Sequence, residues 1–141
     1  MAEQELQLRI QRFIRSFGLL DQERTPCGQP LPTSQAHALQ LLGSAEALTQ
    51  QALADQLGLD KSTTSRLVAQ LVDRDWVAKA VNPRNRREAH LALTERGRTA
   101  LREVQASASV KYAALWQQIP PAKRPQILES LALLTDALRG T

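Results

Sequence analysis

The chain has 141 residues, of which 43% are hydrophobic and 4% aromatic, and this suits one domain or one domain with an oligomerisation segment. No apolar run approaches 18 residues, and the N-terminus carries acidic residues where a signal peptide would be apolar, so neither a membrane partner nor a secretory signal is expected. The single cysteine, Cys27, leaves no intramolecular disulfide. Together these features predict a cytoplasmic protein.

The net charge of +4 comes from one segment of the chain. Residues 60–98 contain nine basic and five acidic side chains, whereas the basic and acidic residues of the remainder balance. A basic excess within one segment is typical of a protein with a polyanionic partner, although charge alone fits a solvated face equally well.

Helical periodicity predicts the first two elements. An apolar stripe indicates a first helix through Leu6, Ile10, Phe13, Ile14 and Phe17. Gly18 and the run TPCGQPLP (25–32) should end that helix and form a connector. A second helix is predicted over residues 36–42, with Thr33 or Ser34 as its cap.

Two capped helices follow, with a glycine between them. Thr49 can cap a helix over 50–57 that stops at Gly58, and Asp60 can cap another over 61–74. The buried side of this last helix should contain Thr64, Leu67, Val68 and Leu71. Its opposite side then presents Ser62, Thr63, Arg66, Ala69, Gln70 and Asp73.

Two short strands are predicted next, over 76–81 and 89–93, because apolar positions alternate with His90 and Ala92 in the second of them. The segment between them, NPRNRRE (82–88), predicts a basic loop. Thr94 can cap a long helix that the two prolines at 120 and 121 end. A last helix contains the apolar positions Ile127, Leu128, Leu131, Leu134 and Leu138.

The two capped helices have the features of a helix-turn-helix. Ala54 is small enough for close helix approach, and Gly58 allows a tight turn. In such a pair the second helix meets base edges in the major groove, and a basic hairpin after it, a wing, reaches the minor groove. The predicted DNA-binding residues are Thr49, Lys61, Ser62, Thr63, Ser65, Arg66, Gln70, Arg84, Arg86 and Arg87.

These runs resemble the MarR family of winged helix-turn-helix transcription regulators. The run NPRNRREAHLALTERG (82–97) is similar to the family's wing signature, D-P-x-D-x-R followed by L-x-L-T-x-x-G. Residues 48–77 resemble its helix-turn-helix, and LPTSQAHALQLL (31–42) resembles its second helix. The resemblance implies a mainly α fold, with a two- or three-stranded wing and a helical dimerisation region.

The chain departs from the family pattern at three positions. Asn82 and Asn85 replace the two wing acids, and an amide at Asn85 would hold Arg87 by a weaker hydrogen bond than a carboxylate. Asp75 stands where the family usually has glycine after the recognition helix, and aspartate also tolerates the left-handed conformation.

The resemblance implies a homodimer held by residues 1–32 and 98–141, with residues 33–97 as the DNA-binding domain. The apolar stripes of the first and the last two helices suit this role, although such stripes also serve packing within one chain. Two-fold symmetry predicts a pseudo-palindromic operator with half-sites about one helical turn apart.

The resemblance also implies a pocket for a small aromatic or phenolic acid whose binding releases DNA. His37, Trp76 and Tyr112 are candidates for its lining, and each also fits a packing role. The expected function is therefore that of a ligand-responsive repressor of transcription, bound to double-stranded DNA.

Three other functions compete with this one. Cys27 would make the chain a redox-responsive regulator, but the sequence offers no second cysteine to resolve an oxidised thiol. A winged helix that binds proteins instead of DNA also fits the pattern. An enzyme is not expected, because there is no nucleophile elbow or phosphate loop, and two histidines 53 positions apart argue against a metal site or cofactor.

Overall fold

A computed structural model of the chain describes residues 1–82 and 84–140; at the wing tip the side chains of Asn82, Asn85, Arg86 and Arg87 lie outside this description. The helices are α1 (Ala2–Phe17), α2 (Thr33–Gly43), α3 (Gln50–Leu57), α4 (Lys61–Asp73), α5 (Glu95–Gln118) and α6 (Arg124–Arg139). The strands β1 (Leu48–Thr49), β2 (Val77–Asn82) and β3 (Asn85–Leu93) form an antiparallel sheet in the order β1-β3-β2. A mainly helical fold with a three-stranded sheet confirms the predicted fold class.

The chain divides into two compact units, Met1–Ser107 and a second unit that starts at Ala108, so the boundary falls within α5. The core of the first unit is built from α2, α3, α4, the sheet and the start of α5, and its fully buried side chains include Leu39, Leu53, Leu71 and Leu91. Burial of each such side chain contributes roughly 1.5–3 kcal/mol. Among the described residues, no helix combines the length and the apolar character needed to cross a membrane.

The helix-turn-helix forms as the sequence predicts. Thr49 Oγ1 accepts the backbone N–H of Ala52 at 3.0 Å, and Asp60 Oδ1 accepts that of Thr63 at 2.7 Å, so both predicted caps are confirmed. Gly58 ends α3 with a φ of 68°, a left-handed conformation that glycine adopts without strain. The predicted buried side of α4 is also confirmed: it consists of Thr64, Leu67, Val68 and Leu71.

Helix α2 begins earlier than predicted. Its cap is Pro32, whereas Thr33 and Ser34, the two alternatives predicted for the cap, lie within the helix. Pro32 is extended, with φ −61° and ψ 146°, and its carbonyl oxygen accepts the N–H groups of Gln35 and Ala36. The fixed φ of proline thus starts the helix without a side-chain cap.

Strand β3 is longer than predicted, whereas β2 has the predicted length and is shifted by one residue. Strands β2 and β3 extend almost to the tip, and the segment predicted as a basic loop over 82–88 is largely strand. The reason is that residues 82–88 contain no aliphatic or aromatic side chain, so they show no apolar alternation and their charge density suggested a loop. Nearer the core the alternation holds, since Ala89, Leu91 and Leu93 are buried.

The start of α5 is tied to the start of β2. Thr94 Oγ1 accepts the N–H of Gly97 at 3.0 Å, which confirms the predicted cap, and the Thr94 hydroxyl donates to the carbonyl oxygen of Asp75. Asp75 itself has a φ of 60°, the left-handed conformation expected at this position. The start of α5 is therefore hydrogen-bonded to the segment that joins α4 to β2.

Candidate nucleic-acid interface

The N-terminal turn of α4 is fixed by a hydrogen-bonded cluster around Asp60. The carboxylate accepts the N–H of Thr63 at 2.7 Å and the hydroxyl of Ser62 at 3.0 Å, while buried Thr64 donates its hydroxyl to the Asp60 carbonyl oxygen at 2.8 Å. These hydrogen bonds, above all that from the Thr63 N–H and next those from the hydroxyls of Thr63 and Ser62, lower the pKa of Asp60. An ionised cap thus orders the end of the helix expected to meet base edges.

The outer face of α4 presents most of the predicted DNA-binding residues together. Lys61, Ser62, Ser65, Arg66 and Gln70 are exposed, and Thr63 is half-buried. Arg66 Nη2 donates to Thr63 Oγ1 at 3.4 Å, which orients the guanidinium along the helix. Hydroxyl, amide and guanidinium groups of this kind hydrogen-bond to base edges and phosphates.

A groove of about 320 Å³ lies between α3, the start of α4 and the wing. Lys61 and Lys79 both line it, so basic residues from two different elements border the same space. Lys79 was not among the predicted site residues, although it is the one basic residue in the run that became β2. Thr49 lies at the start of α3 beside this groove, half-buried, where its side chain caps the helix.

The wing tip carries the remaining predicted residues. Arg84 is exposed in the turn between β2 and β3. Arg86 and Arg87 fall within β3, and their side chains, like the expected contact between Asn85 and Arg87, lie outside the described residues. Strand β3, which carries these arginines, pairs with β2 on one side. Nearer the core, it also pairs with β1 on the other side.

One polar contact joins α4 to α2 and was not foreseen from the sequence. Gln35 on α2 is 4% exposed, and its Nε2 donates to Gln70 Oε1 at 3.1 Å. The feature of the sequence that could have indicated this contact is a glutamine at a helix position that faces the core, four residues before fully buried Leu39. Such a residue signals a buried hydrogen bond but does not identify its partner.

The three candidates for an effector pocket occupy different environments. His37 is exposed on α2. Trp76 is half-buried against the core of the first unit, and the guanidinium carbon of Arg74 lies 4.6 Å from its ring centroid. Tyr112 is exposed and belongs to the second unit.

Cys27 lies half-buried in the turn in which the Gly28 N–H donates to the Thr25 carbonyl oxygen at 2.9 Å. In the described part of the chain, no group of three or more His, Cys, Asp or Glu side chains has the arrangement of a metal site.

Comparison with known proteins relates this architecture to a family. The model of the MarR family matches residues 29–88, which run from the connector before α2 to the wing. The chain is similar to the MarR family over these residues. It is also 31% identical over 105 residues to the HTH-type transcriptional regulator PetP of Rhodobacter capsulatus, an alignment that covers 72% of this chain and 62% of PetP. The chain thus spans less than two thirds of that relative's length.

Solved structures of transcription regulators share the fold. FabT of Streptococcus pneumoniae, in complex with DNA, superposes with a TM-score of 0.79 at 16% identity and covers 98% of both chains. BpsR of Bordetella bronchiseptica, whose DNA binding is regulated by 6-hydroxynicotinic acid, gives 0.77 at 21% identity over 94% of this chain and 98% of BpsR. The MarR family and this fold are those of transcriptional regulators, which agrees with the prediction that the chain is not an enzyme.

Proposed function

We propose that this chain is a member of the MarR family that binds double-stranded DNA as a homodimer at a pseudo-palindromic operator and acts as a ligand-responsive repressor in the cytoplasm. The observation that carries the proposal is the outer face of α4, where Ser62, Arg66 and Gln70 are exposed together beside a basic wing. Hydrogen-bonding groups on an exposed helix of a helix-turn-helix read base edges in the major groove. FabT, with the same fold, forms a complex with DNA.

In this arrangement α4 and the wing have separate tasks. Arg66 and the hydroxyls of Ser62, Thr63 and Ser65 place and read the major groove. Arg84, Arg86 and Arg87 hold the minor groove or its phosphates, where negative potential is strongest when the groove is narrow. Lys61 and Lys79 add a positive groove between the two, which favours contact with the phosphate backbone.

Exposed apolar residues support the homodimer. In the first unit α1 has no buried residue and exposes Leu6, Leu8, Ile10 and Phe13. In the second unit α6 has no buried residue either, and it exposes Ile127, Leu128, Leu131, Leu133, Leu134 and Leu138. Apolar stripes of this size are typical of surfaces that a partner covers, and a second copy of the chain is the partner we propose.

Response to a ligand is the finer part of the proposal. A small aromatic or phenolic acid, with His37, Trp76 and Tyr112 as candidates for its contacts, would favour a dimer whose recognition helices are wrongly spaced for the operator. BpsR supports this class of effector, since 6-hydroxynicotinic acid regulates its DNA binding.

Selection from a library of randomised duplexes tests the proposed function. The full chain is immobilised, bound duplexes are recovered over several rounds, and the enriched sequences are aligned. We expect an enriched inverted repeat with half-sites about one helical turn apart. Recovery of duplexes without any shared sequence would overturn the proposal and favour the winged helix that binds proteins.

A further inference from the structure

The contact between Gln35 and Gln70 has a consequence for how α4 recognises a base. Gln35 lies in the core of the first unit with Ala36 and Leu39, whereas Gln70 lies on the exposed face of α4. Their hydrogen bond, 3.1 Å from Gln35 Nε2 to Gln70 Oε1, therefore joins a buried side chain to one on the proposed DNA-binding surface. The buried end is held by its packing, so the exposed end is the one that is oriented.

The direction of this hydrogen bond selects which part of Gln70 a ligand meets. A glutamine amide has one carbonyl oxygen and one NH₂ group with two hydrogens. The oxygen of Gln70 already accepts a hydrogen bond from buried Gln35, so the NH₂ group is the part that is more available to DNA. A glutamine that recognises adenine uses both groups at once, as acceptor and donor, and that mode is disfavoured here.

We propose that Gln35 is a specificity-determining residue that acts through Gln70 and fixes it as a donor. Within the proposed function, on which this inference rests, Gln70 then prefers a base edge that presents acceptors. Guanine offers two, N7 and O6, in the major groove, whereas cytosine presents a donor there. Gln35 touches no DNA itself and is a positioning residue.

Burial of Gln35 makes the proposal testable without loss of the fold. Its Oε1 is buried and has no hydrogen-bond partner among the described residues, so an apolar side chain of similar size removes an unsatisfied acceptor together with the donor. Gln35→Leu should therefore fold and unfold near the temperature of the wild type. Gln40→Leu is the matched control, because it makes the same change on α2 at a residue that is not bonded to Gln70 in the described structure.

The experiment measures affinity for an operator obtained by selection and for duplexes in which each base pair of one half-site is changed in turn. We expect Gln35→Leu to lower discrimination about tenfold at one position that the wild type reads as guanine. Gln70→Ala should lower it at the same position, the double variant should match Gln70→Ala, and Gln40→Leu should match the wild type. At the other positions of the half-site, Gln35→Leu and Gln70→Ala should discriminate between bases as the wild type does.

Two results would overturn the inference. One is a Gln35→Leu variant that discriminates like the wild type at every position. The other is a variant whose affinity falls equally for all duplexes, which indicates a structural role only. A wild-type chain that shows no preference for any duplex would contradict the proposed function itself, so the two failures are distinguishable.

Discussion

Gly97 packs directly on the carbonyl oxygen of Trp76, and a Cβ atom at Gly97 would overlap that oxygen. The same oxygen accepts the N–H of Thr94 at 3.0 Å, so α5 begins in contact with the backbone that leads into β2. The glycine of the run LALTERG is thus required by this close approach, since no larger residue fits between two backbones.

Gly97→Ala should destabilise the first unit by about 1–3 kcal/mol, because the backbone of α5 or of Trp76 must move. Thermal unfolding followed by circular dichroism measures this as a fall of several degrees in the midpoint. Gly140→Ala is the control, since a Cβ there would meet the carbonyl oxygens of Ala137 and Asp136 at 3.6 Å and 3.9 Å, which are ordinary contacts. Equal midpoints for Gly97→Ala and the wild type would contradict the packing described.

The cap of α4 should depend on pH. Hydrogen bonds from the Thr63 N–H and from the hydroxyls of Thr63 and Ser62 lower the pKa of Asp60, so the ionised carboxylate stabilises the folded state. This contribution is complete above the ordinary pKa of about 3.9 and is lost as the pH falls through the lower pKa of the folded state.

The comparison of wild type with Asp60→Asn isolates the contribution of the ionised carboxylate to stability, because asparagine keeps the cap but cannot ionise. The difference between their unfolding midpoints should be constant from about pH 5 to 7 and should shrink below about pH 4. A difference that stays constant throughout the acid range would show that the charge of Asp60 contributes nothing to the cap.

Loss of a wing arginine should weaken binding to all DNA sequences alike. Arg87→Ala removes a proposed minor-groove or phosphate interaction, so affinity should fall with little change in sequence preference, and the salt slope should fall by about 0.9 for each phosphate that the variant no longer neutralises. Anisotropy titrations at several salt concentrations measure both quantities. Arg102→Ala is the control, because it makes an equal change of charge at an exposed position of α5, and it should leave the affinity and the salt slope unchanged. If Arg87→Ala changed sequence preference without a loss of affinity, the assignment of Arg87 to the minor groove or its phosphates would be refuted.

Changes at the start of α4 should instead alter sequence preference. Ser62→Ala and Thr63→Ala remove hydroxyls at the end of α4 that is proposed to meet base edges, and the loss of a hydrogen bond to a base there costs about 1–3 kcal/mol of discrimination. Selection from randomised duplexes should enrich altered half-sites for these variants but not for Ser109→Ala, an exposed serine of the second unit. Unaltered half-sites for both variants would argue against base recognition by these hydroxyls.

Disruption of the apolar stripe of α6 should yield monomers. Leu131 is 49% exposed, so Leu131→Asp leaves the core of the chain intact while it places a charge on the surface that we propose a second copy covers. Sedimentation velocity should show a dimer for the wild type and a monomer for the variant. Glu129→Lys, on the opposite side of the helix, is the control and should remain dimeric. If Leu131→Asp formed dimers of unchanged stability, α6 would be excluded from the interface.

The helix-turn-helix was predictable because its signals are local. Caps at Thr49 and Asp60 depend on residues two or three positions away, and the buried positions Thr64, Leu67, Val68 and Leu71 follow the helical period. The strand β1 was not predicted as an element, because its two residues, Leu48 and Thr49, gain their conformation from pairing with Leu91 and His90 far along the chain. Strand pairing of this kind has no local periodicity to reveal it.

Most of the proposed DNA-binding face was named from the sequence, because its residues occupy one side of α4 or the basic segment after it. The hydrogen bond from Gln35 to Gln70 was not, since it joins polar side chains from two helices that are 35 positions apart. Lys79 was missed for a related reason: only the fold brings it to the same groove as Lys61.

The most direct test of the proposed function is fluorescence-anisotropy binding of the full chain to a duplex from the region upstream of its own gene, against a scrambled duplex of equal length at fixed salt. We predict that the native duplex binds about a hundredfold tighter or more, with two chains per duplex, and that its affinity falls steeply with salt. Equal and weak binding of the two duplexes would contradict the account, because α4 and the wing would then form a basic surface without base recognition.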